Sequence, residues 1–237
     1  MPSYTLTNLE DAAKHAVGKP GGFDTGNSAS NCANLALDYL INAHPWSWRL
    51  ESTTLNLVSG QNYVALPTDF SEIVYLRGGT STSTAVIPTT LDRIFQMRQQ
   101  AVSSSSTFIH YAVTQTDQAN GTSLATYQID IYPTPSASTT AAMQLGYMKQ
   151  IAQFTGGTQV ANIPGHMQGT LWWLTRGYAE ITENNQPGLN WQQAMQDIEQ
   201  RKKRDAQTQP VVGRLRGTVE QISYDDEDRF PASTVTV

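Results

Sequence analysis

Apolar residues change their spacing twice along the chain, and the two changes divide it. Up to about residue 43 the spacing is helical. Residues 7–17 predict a short helix: Thr7 or Asn8 is placed to cap it, Glu10 and Asp11 favour its positive end, and Lys14 and His15 lie near the other. Lys19-Pro20-Gly21-Gly22 breaks it. Residues 28–43 predict a second helix in which Cys32, Leu35, Ala36, Tyr39, Leu40 and Ala43 share a face that Leu37 and Ile41 widen. A face that broad belongs to a helix packed on more than one side. His44-Pro45 ends it, because the residue before a proline avoids helical angles.

Beyond Pro45 the pattern alternates. Residues 50–58 predict a strand with Thr53, Leu55 and Leu57 on one face; Ser59-Gly60 turns the chain and residues 62–66 return, giving a hairpin. A third strand is expected over 70–76, a flexible loop over 78–84 (GGTSTST), a short amphipathic helix over 90–100, and another loop over 103–106. Residues 107–113, 126–132 and 142–148 alternate again, with Tyr127, Ile129 and Ile131 pointing one way. Between Gln99 and Met148 the only charges are Asp117 and Asp130, so this stretch reads as a polar, weakly charged sheet or small barrel.

Near Pro164 the helical period comes back. Residues 165–183 align Leu171, Leu174, Tyr178 and Ile181, with Trp172 beside them; residues 189–207 align Trp191, Ala194, Met195 and Ile198. The break at 185–188 is short, so the two helices are expected to pack as an antiparallel pair. The pattern as a whole predicts an α+β fold. Residues 1–48 and 164–209 form a helical bundle, 49–163 a central antiparallel β part, and 210–237 an extended C-terminal arm.

Composition sharpens this. Hydrophobic residues make up 39% of the 237 residues and charged ones only 15%, below the usual quarter. Ser, Thr, Gln and Asn fill the gap, and a neutral polar surface suits contact between identical copies because burying a hydroxyl or amide costs less than burying a charge. The net charge of −5 argues against tight nucleic-acid binding, which needs concentrated Lys and Arg. The single cysteine, Cys32, excludes an internal disulfide and a cysteine zinc cluster. No run of apolar residues is long enough to span a membrane, and the first residues lack the basic and apolar pattern of a signal peptide.

Candidate chemistry is sparse. His15, His44, His110 and His166 have no partner at metal-ligand spacing, and no HExxH, GxSxG, P-loop or GxGxxG occurs. No catalytic residue, metal or cofactor is expected. Arg201-Lys202-Lys203-Arg204 reads as a solvated helix end, partly neutralised by Asp197, Glu199 and Asp205, rather than a DNA site. Asp197 to Arg201 and Glu199 to Lys203 are spaced as helix-surface pairs. Pro45, Trp46 and Trp48 stand where the period changes, so they are expected to anchor the junction between the helical and β parts. The adjacent Trp172 and Trp173 are expected first of all to pack in the core; falling on two faces of one helix, they also suit one contact within the subunit and one between subunits.

In order, these features resemble a known family. Trp46-Ser47-Trp48 followed by Tyr63-Val64-Ala65-Leu66-Pro67-Thr68-Asp69-Phe70 is similar to the "W-x-W" and "Y-x-x-L-P-x-D-F" run of the head-to-tail adaptors of tailed phages, the tail tubular protein A or gatekeeper proteins and related neck proteins. Ile131-Tyr132-Pro133-Thr134-Pro135 before a last strand, and the closing helix pair, add to the likeness, which runs from about residue 9 to 207. The resemblance implies a non-enzymatic virion protein, made in the host cytoplasm. It implies a ring of about twelve copies between the portal and a tail nozzle or tail tube, with genome DNA passing through its channel without sequence-specific contact. The alternatives are a virion-associated cell-wall hydrolase, for which carboxylates such as Asp69 and Glu72 exist, and a tail receptor-binding module. The arm lacks enough apolar residues to fold alone but keeps spaced anchors at Val211, Val212, Leu215, Ile222, Tyr224, Phe230 and Val235, with Arg214 and Arg216 ahead of the acidic run 225–228. It is expected to become ordered on docking to the portal or a neighbouring adaptor, with Arg214, Arg216, Ile222, Tyr224, Phe230 and Val235 as its contacts.

Overall fold

The computed structural model describes residues 3–19, 29–78, 85–100, 108–117 and 125–208. Pro20-Gly21-Gly22, residues 79–84 and 103–106 of the two expected loops, and the arm 210–237 lie outside the described residues.

The helical layer draws on both ends of the chain. Helix α1 (Leu6–Ala16) buries Leu6, Leu9, Ala12 and Ala13. Its cap is Thr5, not Thr7 or Asn8. The Thr5 hydroxyl accepts from the Asn8 N–H while the Asn8 side chain accepts from the Thr5 N–H, a reciprocal capping box that starts the helix before either expected cap. Two more first-turn donors, the N–H groups of Leu6 and Thr7, bond to the carbonyls of Gln159 and Gly157 at 2.9 Å. Helix α2 (Ala29–Asn42) buries Ala29, Cys32, Ala33, Ala36, Leu37, Leu40 and Ile41. The stripe therefore centres on Ala33, Ala36, Leu37 and Leu40, and Leu35 falls on the opposite flank with 49% of its surface exposed.

Helices α4 (Gly165–Asn184) and α5 (Leu189–Thr208) form the expected pair, and Asn185 turns the chain at φ 55°. Asn is among the few residues that take a left-handed conformation cheaply. Gly177 lets the pair close: a Cβ there would stand 2.9 Å from the Trp191 Cα. Leu9 and Leu37, Met167, Leu171 and Leu174, and Ala194 and Ile198 meet in one core, and Trp46, Phe154 and Ile163 complete it.

Between these helices the chain builds two sheets. Strands β1 (Leu50–Leu57), β3 (Phe70–Gly78) and β7 (Thr139–Lys149) form one, in the order β1-β7-β3. Strands β2 (Tyr63–Ala65), β4 (Ala85–Pro88), β5 (Phe108–Asp117) and β6 (Thr126–Tyr132) form the other, in the order β2-β6-β5-β4. Leu55, Phe70, Met143, Leu145 and Tyr147 from the first sheet pack against Val64, Ile109, Ile129 and Ile131 from the second, as sheets do when each has one apolar face. Helix α3 (Leu91–Gln99), capped by Thr90, covers the other side of the second sheet with Ile94 and Met97 on Ala112.

Two expectations change here. Leu50–Leu57 and Tyr63–Ala65 do not pair as a hairpin: β1 pairs with β7 and β2 with β6, so the 58–62 turn carries the chain from one sheet to the other. The β part is also not wholly antiparallel, because β4 runs parallel to β5. Helix α3 lies between those two strands in sequence, and a parallel pair needs such a crossover.

Candidate functional site

The segment from His44 to Arg49 joins the two cores, and its side chains are tied down on several sides. Trp46 is 1% exposed and sits in the helical core; its indole N–H donates to the Leu40 carbonyl at 2.6 Å. That bond uses a carbonyl from the end of α2 that the helix itself leaves free. The His44 ring meets Trp46 edge-on at 4.9 Å. Ser47–Arg49 form a single 3-10 turn. Trp48 packs half-buried on the helical core, with its indole nitrogen enclosed and without a hydrogen-bond partner among the described residues. All three residues singled out in the sequence, Pro45, Trp46 and Trp48, thus lie in this one connection.

Two residues the sequence did not mark complete it. Arg49 is 9% exposed and bridges the layers, donating from Nη1 to the Ile41 carbonyl at 3.2 Å and from Nε to the Lys149 carbonyl at 3.0 Å. One end of this bridge is the last turn of α2, where a cation complements the dipole; the other is the last residue of β7. Burial pulls the Arg49 pKa below its ordinary value, against the opposing charge of Glu72. Asp205, near the end of α5, accepts from the Ser47 N–H at 3.1 Å and from the Ser47 hydroxyl at 2.5 Å, and lies 3.1 Å from His44 Nε2. The only signal for Arg49 was its place directly after the tryptophan pair; for Asp205, in a basic run 158 residues from Ser47, there was none.

The outer face of α4 carries a different feature. Trp172 and Trp173 meet edge-on at 4.7 Å, and Tyr4 stacks on Trp172 at 6.4 Å. The Arg176 guanidinium lies 4.5 Å from the Trp172 ring centre and 5.4 Å from that of Trp173. Its Nε is enclosed and has no hydrogen-bond partner among the described residues.

At the far end of the pair, Arg201 donates from Nε to Asp197 at 2.9 Å and to the Thr170 hydroxyl at 2.5 Å, so it leans onto α4 instead of into solvent. Glu199 pairs with Lys202 at 2.8 Å and not with Lys203, since i+3 and i+4 neighbours compete on a helix. In the β part, Asp130 is 8% exposed beneath α3 and gathers the Thr114 hydroxyl at 2.8 Å, the Gln128 amide at 3.2 Å and Arg98 at 3.5 Å. Asp69, one of the two carboxylates considered for hydrolysis, accepts from the Tyr147 hydroxyl at 3.0 Å. Burial, and then that bond, push Tyr147 up to about 12. Glu72 lies on the solvent-facing side of β3. Among the described residues no three His, Cys, Asp or Glu side chains are grouped to hold a metal, and no helix is long and apolar enough to cross a membrane. Arg214, Arg216, Ile222, Tyr224, Phe230 and Val235 lie outside the described residues.

The described geometry holds two features, a braced joint between two cores and an aromatic face carrying a cation that has no ion-pair partner among the described residues. A comparison with curated proteins finds no match. The family described as SU10 adaptor protein matches the chain over residues 4–216, a span that holds both cores, the joint and the whole helix pair. The chain therefore belongs to the SU10 adaptor protein family, the head-to-tail adaptors of tailed phages.

Proposed function

We propose that the protein assembles as a ring of about twelve copies between the portal and the tail nozzle or tail tube, with the genome passing through its channel. Membership of the adaptor family carries this reading. The two cores supply a division of labour. The helical part, residues 1–48 and 164–209, packs around the ring and meets the portal; the β part, 49–163, faces the tail. Pro45, Trp46 and Trp48 anchor the joint between them, and a braced joint transmits load from head to tail without letting the two parts rotate.

A net charge of −5 per copy makes the ring strongly acidic. An acidic lumen lets DNA slide, because only cationic contacts release counterions and hold phosphate. The arm 210–237 docks on the portal or a neighbouring adaptor through Arg214, Arg216, Ile222, Tyr224, Phe230 and Val235. Repetition around the ring gives individually modest contacts their avidity. A mass measurement of the purified protein, followed by electron microscopy with its portal, tests the reading. A closed ring seated under the portal is expected; a protein that stays monomeric and never binds portal-bearing heads overturns it.

A further inference from the structure

The outer face of α4 holds two features that the internal packing leaves unexplained. The first is Gly169. A glycine inside a helix destabilises it by about 0.5–1 kcal/mol relative to alanine. At Gly177 the packing requires that cost, because Trp191 leaves no room for a Cβ. At Gly169 a Cβ would meet nothing within 4 Å, and the backbone there is ordinary helix. The fold does not need glycine at this position, so the missing side chain leaves an open notch in the helix surface.

The second is Arg176. Residues 169, 172, 173 and 176 lie three and four apart, so they line one face around that notch. Arg176 is held between two indole rings, its Nε is shut off from water, and it makes no hydrogen bond or ion pair among the described residues. A guanidinium placed in this way is preorganised for a carboxylate, since its rotamer is fixed and its charge is partly desolvated.

The chain itself holds a segment with the matching chemistry. Tyr224-Asp225-Asp226-Glu227-Asp228-Arg229-Phe230 places four carboxylates between two aromatic residues. It belongs to the arm that follows α5, and α5 ends beside the start of α4, as the Arg201 to Thr170 contact shows. Fifteen residues separate Thr208 from Tyr224, enough extended chain to reach roughly 50 Å. The face is therefore within range of the arm of its own chain.

We propose that the notch at Gly169, walled by Trp172, Trp173 and Arg176, is the docking site for the acidic segment 224–230 of the arm. A carboxylate of the run pairs with Arg176, and a flanking aromatic ring lies over the notch against the tryptophans. This rests on the reading that the arm docks during assembly and gives it a receptor on the adaptor itself.

The test uses the full-length protein with photoreactive benzoylphenylalanine in place of Tyr224, and cross-linked peptides identified by mass spectrometry. Cross-links to the peptide containing residues 165–176 are expected, and either an intrachain or an interchain link supports the site. Arg176→Glu should lower their yield about tenfold or more, the loss expected when one charge-assisted contact is removed. Gly169→Leu should do the same by filling the notch; its Cβ meets no described atom within 4 Å, and an unchanged denaturation midpoint of this variant separates docking from folding. Cross-links elsewhere, or a yield unchanged in both variants, overturn the proposal. Deletion from Pro210 onward, tested for attachment to portal-bearing heads, reports separately on whether the arm matters for assembly. Lost attachment without cross-links to α4 leaves the adaptor reading standing and removes only this receptor.

Discussion

Asp205 accepts the backbone N–H of Ser47 at 3.1 Å and its hydroxyl at 2.5 Å. One carboxylate near the end of the last described helix thus fixes the turn through which the chain leaves the helical core for the first strand. Asp205→Ala leaves a half-buried N–H and hydroxyl without their acceptor, and a cost of about 1–3 kcal/mol is expected. Asp205→Asn keeps an acceptor oxygen and should lose less. Chemical denaturation of the two variants checks this, and equal midpoints for Ala, Asn and the parent would contradict it.

Trp46→Ala should cost about 3–5 kcal/mol, the range for truncating a large buried ring. Trp48→Ala should cost less, because Trp48 is only half-buried and its indole N–H makes no bond to any described residue. The melting temperatures of the two variants give the order. If neither moves, the pair does not anchor the joint.

Gly169 and Gly177 of helix α4 should respond in opposite directions when replaced. Gly169→Ala adds a Cβ where nothing stands within 4 Å and should stabilise the protein by about 0.5–1 kcal/mol. Gly177→Ala drives a Cβ to 2.9 Å from the Trp191 Cα, forcing α4 and α5 apart, and should destabilise by about 1–3 kcal/mol. Denaturation midpoints of the pair measured side by side decide it.

Tyr147 makes stability fall at alkaline pH. Its hydroxyl is pushed from 10.0 to about 12 by burial and by the bond to Asp69. The folded protein thus holds a proton that the unfolded chain gives up near pH 10. Stability from this group is complete below pH 10 and is lost as pH rises toward 12. Tyr147→Phe should flatten the alkaline limb of the pH–stability curve while lowering stability at neutral pH through the lost bond. An unchanged alkaline limb would show that other groups set it.

Long elements with a helical period were legible in the chain. The α4–α5 pair and its break were readable because some twenty residues repeat one stripe and Asn185 closes it. Pairing in the β part was not readable. Alternation in residues 50–57 and 63–65 says which side chains face inward, and it is silent on which strand lies alongside, so an adjacent hairpin was expected where the chain changes sheets. Strand β4, four residues long after a Ser/Thr-rich run, is too short to show a period. Leu35 misled because a helix whose apolar residues cover most of its circumference does not reveal the centre of its stripe. At the joint, Trp46 was legible from size and position. Arg49 and Asp205 act through carbonyls and donors far away in sequence, and such partners leave no local pattern. The α4 face was half legible: adjacent tryptophans must point apart, but the open notch at Gly169 and the unpaired Arg176 needed coordinates.

The helical core is assembled from the two ends of the chain, with Leu9 and Leu37 on one side of the β part in sequence and Leu171 and Ile198 on the other. This sets an order of events on the ribosome. The strands from Leu50 to Lys149 are contiguous and can pair as they emerge, whereas α1 and α2 have only each other until everything from Ala43 to Pro164 has been made. Their apolar faces wait through most of translation, and the core that closes over them forms last. A truncated chain, lacking α4 and α5, therefore leaves the core-facing sides of α1 and α2 uncovered.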